Sequence, residues 1–138
     1  MKLKIIIGLG LVCIAFIISC QSDDQLEFNR YYSNGRTIYQ SKCQNCHGAK
    51  GEGLLALIPP LTDSVYLKSH KDSLACIIKY GLSKPISVSG RSFEGQMPVN
   101  DLPSVEIASA LTYITNSFGN KMGTITSQQV DSDLSGCR

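Results

Sequence analysis

The 138-residue sequence predicts one small all-α domain. Near the C-terminal end, apolar side chains recur with the spacing of one helix face. No stretch alternates apolar and polar residues clearly enough to indicate a strand. Clusters of Gly and Pro separate the helical segments from loops. We therefore expect about three to five short helices joined by loops.

The first predicted helix runs roughly from Arg30 to Cys46, and its apolar candidates are Tyr31, Ile38 and Tyr39. Gly35 lies inside this helix, although Gly is about 1 kcal/mol less favourable than Ala in an exposed helix. A glycine at this position indicates close contact with another helix.

The second predicted helix runs roughly from Ser73 to Tyr80. Asp72 can cap its N-terminus, and Gly81 can end it. The apolar residues that share one face are Leu74, Ile77 and Ile78.

The third predicted helix, roughly Ser104 to Phe118, has the clearest pattern. Pro103 is tolerated in its first turn, and Gly119 is placed to end it. One apolar stripe at spacings i, i+4, i+7 and i+11 comprises Ile107, Leu111, Ile114 and Phe118.

The N-terminal segment has the composition of a bacterial export signal. Lys2 and Lys4 precede an uncharged, mostly apolar run over residues 5–18, which is shorter than the roughly 20 apolar residues of a membrane span. The run ends in Ile-Ile-Ser-Cys20, which resembles a lipobox, where the cysteine is lipidated and becomes the first residue after cleavage. The alternative is an ordinary signal peptide, or an uncleaved anchor, with Cys20 incidental.

The chain accordingly divides into a signal peptide 1–19, a lipidated tether 20–28, a compact domain 29–122 and a polar, loosely held tail 123–138. Lipidation of Cys20 would hold the exported domain on the periplasmic side of a bacterial membrane without spanning it. Removal of the signal peptide leaves 11 basic and 11 acidic residues, so no basic surface indicates a nucleic-acid partner.

Cys43, Cys46 and His47 form one Cys-x-x-Cys-His sequence, which is the attachment motif for haem c. Two thiols three positions apart on a turn of helix can each bond to a haem vinyl group, and the imidazole that follows can bind the iron. Because the motif occurs once, it predicts a single covalent haem. Nearby glycines let the backbone turn sharply beside a flat cofactor.

The cysteines allow alternatives. A thioredoxin-like redox pair would sit in a βαβ context, which is not apparent in the sequence. A zinc site would need four ligands drawn from Cys43, Cys46, Cys76, Cys137 or a His, but structural zinc pairs usually repeat and no second pair exists. Cys76 and Cys137 could form a disulfide in an oxidising compartment or remain separate thiols, and the sequence leaves both open.

The second axial position of the iron needs another ligand, and Met97 is the leading candidate. Gly95 frees the backbone before it and Pro98 stiffens the backbone after it. Its alternative role is that of a flexible core side chain. Met122 is the second candidate, whereas His70 lies among polar residues and is expected to be a solvated surface side chain.

Over roughly residues 29–120, the chain resembles the class I, monohaem c-type cytochromes. The matching features include Gly35 and Tyr39 before the haem motif, Pro59-x-Leu after it, and Met97-Pro further along. The resemblance implies a cytochrome c-like fold in which the first and last helices cross beside one haem c. It also implies that the Pro59 carbonyl accepts a hydrogen bond from His47 Nδ1. Two departures from the family pattern are Pro103, where a Ser or Thr cap is common, and the tail.

With His47 and Met97 both on the iron, no position remains for a substrate, so we expect a one-electron carrier and not an enzyme. The expected partners are a membrane, through the lipid anchor, and redox proteins that act as donor and acceptor, with no small-molecule substrate. The alternative is a dedicated cytochrome subunit of a larger exported oxidoreductase. An open-site haem enzyme or gas sensor is a third hypothesis, which requires Met97 to be off the iron.

Overall fold

The computed structural model describes residues 23–137. The signal peptide 1–19 and the lipidation of Cys20 lie outside the described residues and stay predictions. Within the described part of the chain, no helix combines the length and apolar character needed to cross a membrane.

The described chain is mostly helical. Helix α1 (Asp23–Ile38) continues through a π-helical turn (Tyr39–Cys43) into the short helix α2 (Gln44–His47). The elements that follow are α3 (Ser64–Ser69), a 3₁₀ turn (Lys71–Ser73), α4 (Leu74–Tyr80), the strands β1 (Ile86–Val88) and β2 (Arg91–Phe93), α5 (Ser104–Ile114) and α6 (Ser127–Ser135).

Helix α1 packs against α5, and Gly35 lies at their contact. A Cβ atom on Gly35 would overlap the backbone carbonyl of Ser109 in α5. Beside this contact, Asn34 Nδ2 donates a hydrogen bond of 3.1 Å to Ser109 Oγ. The predicted role of Gly35 in a close helix contact is confirmed.

The N-terminal boundary differs from the prediction, because α1 begins at Asp23 and not near Arg30. Residues 23–28 of the predicted tether are therefore helical. Asp23 and Asp24 suit this position, since acidic side chains interact favourably with the N-terminal end of the helix dipole. The first turn is exposed and has no apolar stripe by which the sequence could reveal a helix.

Helix α5 ends at Ile114, four residues before the predicted end at Phe118. The chain turns away there, and Phe118 has a φ of 57° while Gly119 has a φ of 93°. The side chain of Phe118 still packs against the core, which explains why it continues the apolar stripe. At the other end Pro103 is the N-cap residue and makes no side-chain hydrogen bond.

Helix α3 was not predicted, because six residues show no helical period. Asp63 caps it, and its Oδ1 accepts hydrogen bonds from the backbone N–H groups of Val65 and Tyr66 at 2.9 and 3.0 Å. The predicted cap at Asp72 is wrong. Asp72 lies in a 3₁₀ turn before α4, and the N-cap residue of α4 is Ser73, which makes no side-chain capping bond.

Strands β1 and β2 form an antiparallel hairpin, with Ile86 opposite Phe93 and Val88 opposite Arg91. Three residues per strand are too few to show alternation, so the sequence did not reveal them. Val88 and Phe93 are each 1% exposed, and both line the cleft of the functional site.

The expectation of a loosely held tail over residues 123–138 is wrong. Helix α6 packs against α5, with Val130 fully buried and Ile125 3% exposed. Thr112 Oγ1 donates a hydrogen bond to the Ile125 carbonyl at 3.1 Å and accepts one from the Ile125 N–H at 2.9 Å. Cys137 forms a disulfide with Cys76 of α4. The buried apolar residues of the tail are isolated among polar ones, so its composition gave no indication of a packed helix.

Candidate functional site

The Cys-x-x-Cys-His sequence lies where α1 ends. The π-helical turn closes at Cys43, and α2 carries Cys46 and His47. π-helical turns are rare and often occur at functional sites. Neither Cys43, which is half-buried, nor Cys46, which is exposed, takes part in a disulfide.

His47 is held through its ring by the segment that follows the motif. Its Nδ1 lies 3.2 Å from the Pro59 carbonyl oxygen, and because a carbonyl can only accept, Nδ1 donates this hydrogen bond. Burial lowers the pKa of His47, and the hydrogen bond to Pro59 opposes this shift. Burial therefore favours the neutral imidazole, whose Nε2 lone pair can bind a metal.

Cys43 does not have the thiolate character of a redox nucleophile. Burial, with a smaller effect of Cys46, raises the pKa of Cys43 to about 11. Catalytic redox cysteines instead have lowered pKa values, because the thiolate is the reactive form. The chemistry of the site therefore argues against the thioredoxin-like alternative.

The zinc alternative loses two of its ligands. Cys76 and Cys137 are bonded to each other, so neither is available to a metal shared with Cys43 and Cys46. Across residues 23–137, no group of three or more His, Cys, Asp or Glu side chains is placed to hold a metal ion.

An apolar cleft opens beside the motif, and Cys43, Cys46, His47 and Met97 all line it. The remaining lining comes from several elements and is mostly hydrophobic, including Leu67, Leu74, Ile78, Val88, Phe93 and Leu111. Apolar clefts with a few convergent polar groups are the usual form of a cofactor site.

Met97 reaches the cleft because the backbone around it is fastened to neighbouring segments. It exchanges two backbone hydrogen bonds with Leu82, at 2.9 and 2.8 Å. Gly81, with a φ of 75°, packs directly against the Met97 carbonyl, and Gly95 packs against the Leu57 carbonyl. Side chains at these two glycines would collide with backbone atoms, so the approach depends on their absence.

The other candidate ligands lie elsewhere. Met122 is partly buried against the core but does not line the cleft, and its backbone N–H donates to Asn116 Oδ1 at 3.0 Å. His70 is exposed, and its ring stacks on Tyr66 with centroids 4.0 Å apart. The structure therefore brings Met97 together with the haem motif, and neither Met122 nor His70.

The loop after His47 is held by side chains to which the sequence analysis assigned no contact. Tyr39 donates a 2.6 Å hydrogen bond to the Gly48 carbonyl, and burial raises the pKa of the Tyr39 hydroxyl. The Phe118 ring packs on Gly51, where a Cβ would collide with it. Asn120 donates to the Leu61 carbonyl. The contacts of Phe118 and Asn120 join residues far apart in the chain, so no local pattern could have revealed them.

The donor set suits haem c. A neutral imidazole and a thioether sulfur are ligands that haem iron takes in cytochromes, and the two adjacent thiols match its covalent attachment. The apolar lining matches the large hydrophobic surface of a porphyrin.

Comparison with known proteins agrees with this fit. Residues 31–114 match the family model described as cytochrome c oxidase, cbb3-type, subunit III. No curated protein matches the chain. The match covers more than half of the chain, and with the helical structure it confirms the predicted cytochrome c-like fold and the haem c cofactor. The chain therefore belongs to this family of c-type cytochromes, whose cytochrome c domain binds haem c covalently and serves in electron transfer.

Proposed function

We propose that this protein is a membrane-tethered carrier of single electrons with one haem c. In this proposal, Cys43 and Cys46 form the two thioethers, and His47 and Met97 are the axial ligands. The observation that carries the proposal is that these four side chains, separated by up to 54 positions in the sequence, line one apolar cleft.

When bound, haem c supplies an iron that changes between the ferrous and ferric states by one electron. The residues of the chain set how easily that change occurs. Met97 offers a soft, neutral sulfur, which favours the ferrous state and raises the potential. The apolar lining acts in the same direction, because burial penalises the additional positive charge of the ferric centre. We expect a potential well above that of free haem.

Pro59 shifts the potential in the direction opposite to Met97, because it acts through the basicity of His47. The hydrogen bond from Nδ1 to the Pro59 carbonyl increases the basicity of the imidazole and fixes the orientation of the ring. If Met97 also held the iron, no ligand position would be left for a substrate, so the residues support transfer of electrons without bond-making chemistry. Electrons would pass to protein partners across a small, transient interface.

Export and lipidation at Cys20 complete the proposal. Since α1 begins at Asp23, only two residues separate it from Cys20. Even fully extended, the three residue steps from Cys20 to Asp23 can span at most about 10 Å. A lipid on Cys20 would therefore hold the haem domain close to the membrane surface, where membrane-bound redox proteins are the natural donor and acceptor.

A second candidate function is that of a dedicated cytochrome subunit in a larger exported oxidoreductase. The observation that favours it is the description of the matching family as a subunit of an oxidase. Purification of the tagged chain from its native membrane after mild detergent extraction separates the two: a stable, stoichiometric partner supports the subunit, and a lone cytochrome supports the carrier.

The ligand assignment is tested by Met97→Ala, with Met122→Ala as the matched control. Both methionines are partly buried against the core, but Met97 lines the cleft. We expect Met97→Ala to retain covalent haem, lower the midpoint potential and bind CO rapidly when reduced. Met122→Ala should keep the wild-type potential and exclude CO. Optical titration measures both properties, and an unchanged potential in Met97→Ala would show that another group is the ligand.

A further inference from the structure

Asn120 lies in the turn after α5 and is 5% exposed. Its Nδ2 donates hydrogen bonds to the Leu61 carbonyl at 2.8 Å and to the Ile114 carbonyl at 3.0 Å. Ile114 is the last residue of α5, so the amide ties the end of this helix to the segment of residues 59–61.

The same segment holds the ring of His47. The Pro59 carbonyl accepts the Nδ1 hydrogen bond at 3.2 Å, and the Leu61 N–H donates to the Gly51 carbonyl at 2.7 Å. Pro60 is the single residue between Pro59 and Leu61, and its ring fixes the φ angle there, which limits the freedom between Leu61 and the Pro59 carbonyl. A displacement of Leu61 is therefore carried to the acceptor of the His47 bond.

The oxygen of the Asn120 amide separately indicates that this side chain is present for the hydrogen bonds that Nδ2 donates. Within the described part of the chain, Oδ1 is buried and accepts no hydrogen bond. A buried acceptor without a partner is unfavourable, and an apolar side chain of similar size would avoid this penalty. What an apolar side chain could not provide is the two hydrogen bonds that Nδ2 donates.

We propose that Asn120 is a positioning residue for the axial histidine. By holding Leu61 against α5, it keeps the Pro59 carbonyl aligned with His47 Nδ1 and so sets the basicity of the imidazole. This inference rests on the proposed function, because it takes His47 to be a ligand of the haem iron.

Loss of the Asn120 amide should raise the midpoint potential of the haem. Loss of the Asn120 hydrogen bonds loosens the Nδ1 bond, so the imidazole donates less electron density and stabilises the ferric iron less. The midpoint potential therefore rises, and the Nδ1 proton exchanges with solvent faster. General loosening that admits water to the haem would instead favour the ferric state and lower the potential.

The experiment compares Asn120→Leu with Asn116→Leu in the haem-loaded protein. Asn116 is the matched control because it lies on the same turn, and its Nδ2 donates hydrogen bonds of 2.8 Å to the carbonyls of Thr112 and Gly123 and one of 3.4 Å to Thr115 Oγ1. Its Oδ1 also accepts hydrogen bonds from the N–H groups of Met122 and Gly123, so Asn116 holds α5 to the chain after the turn and makes no hydrogen bond to residues 59–61. Redox titration measures the potential, and NMR of histidine-labelled protein measures the Nδ1 proton exchange.

We expect a raised potential and faster Nδ1 exchange in Asn120→Leu, with both properties unchanged in Asn116→Leu. If Asn120→Leu does not yield folded protein, Asn120→Ser keeps one hydroxyl donor and should give a smaller rise. An unchanged or lowered potential in the folded Asn120 variants overturns the inference. If the wild-type protein shows no histidine ligation at all, the proposed function itself fails, which is a separate outcome.

Discussion

The disulfide between Cys76 and Cys137 makes a strong prediction about stability. It joins α4 to the end of the chain across a sequence separation of 61 residues. For a loop of that length, the chain-entropy relation gives about 14 cal/mol/K, or about 4 kcal/mol at 25 °C. Measured losses are often smaller, so we expect the Cys76→Ala/Cys137→Ala variant to lose about 2–4 kcal/mol.

The assay is urea unfolding of the haem-loaded protein, followed by far-ultraviolet circular dichroism. With a urea m value of about 2 kcal/mol/M, this loss lowers the midpoint by roughly 1–2 M. Cys76 and Cys137 do not line the cleft of the haem motif, so the midpoint potential should stay at the wild-type value. Each single variant should lose about as much stability as the double, since either one opens the bond. A loss below about 1 kcal/mol would refute the argument from chain entropy.

Two further predictions concern packing and capping. Gly35→Ala should destabilise the fold by about 1–3 kcal/mol in urea unfolding, because its methyl group has no space against the Ser109 carbonyl; wild-type stability would contradict the helix contact. Asp63→Ala should cost about 1 kcal/mol near neutral pH through loss of the α3 cap. The Ser89 hydroxyl and the capped N–H groups lower the pKa of Asp63 below its ordinary 3.8, so its stabilisation is complete above that pH and is lost as the pH falls through the lowered pKa. The gap between wild type and variant should therefore close in acid, and a gap that is independent of pH would argue against the cap.

The sequence revealed those helices that carry an apolar stripe. The residues from Ile107 to Ile114 predicted α5, and the face shared by Leu74 and Ile78 predicted α4. Helix ends were less accurate, because Phe118 continues the stripe although the backbone turns before it. The short helix α3, the hairpin and the helical tail remained hidden, since three to nine residues with one or two apolar contacts show no period.

For the site as well, the sequence predicts the residues that are adjacent in the chain and does not reveal contacts between distant segments. Cys43, Cys46 and His47 are adjacent in the sequence, so their spacing alone predicts attachment of haem. The sequence predicted Met97 as the leading ligand candidate, but its place in the cleft depends on backbone pairing with Leu82, which no local pattern reveals. Asn120 shows no sequence signal, since its partner Leu61 is 59 positions away. The disulfide could not be decided from the sequence, because the cysteines' separation in space depends on how α6 packs.

The central claim is that haem is bonded to Cys43 and Cys46, and peptide mass spectrometry tests it most directly. The protein should be produced in a bacterium with a functioning cytochrome c maturation system and digested with trypsin. We predict that the peptide containing Cys43 and Cys46 carries one covalently added haem and that no other peptide carries haem. An unmodified peptide containing Cys43 and Cys46, from protein that is fully folded and exported, would contradict the account.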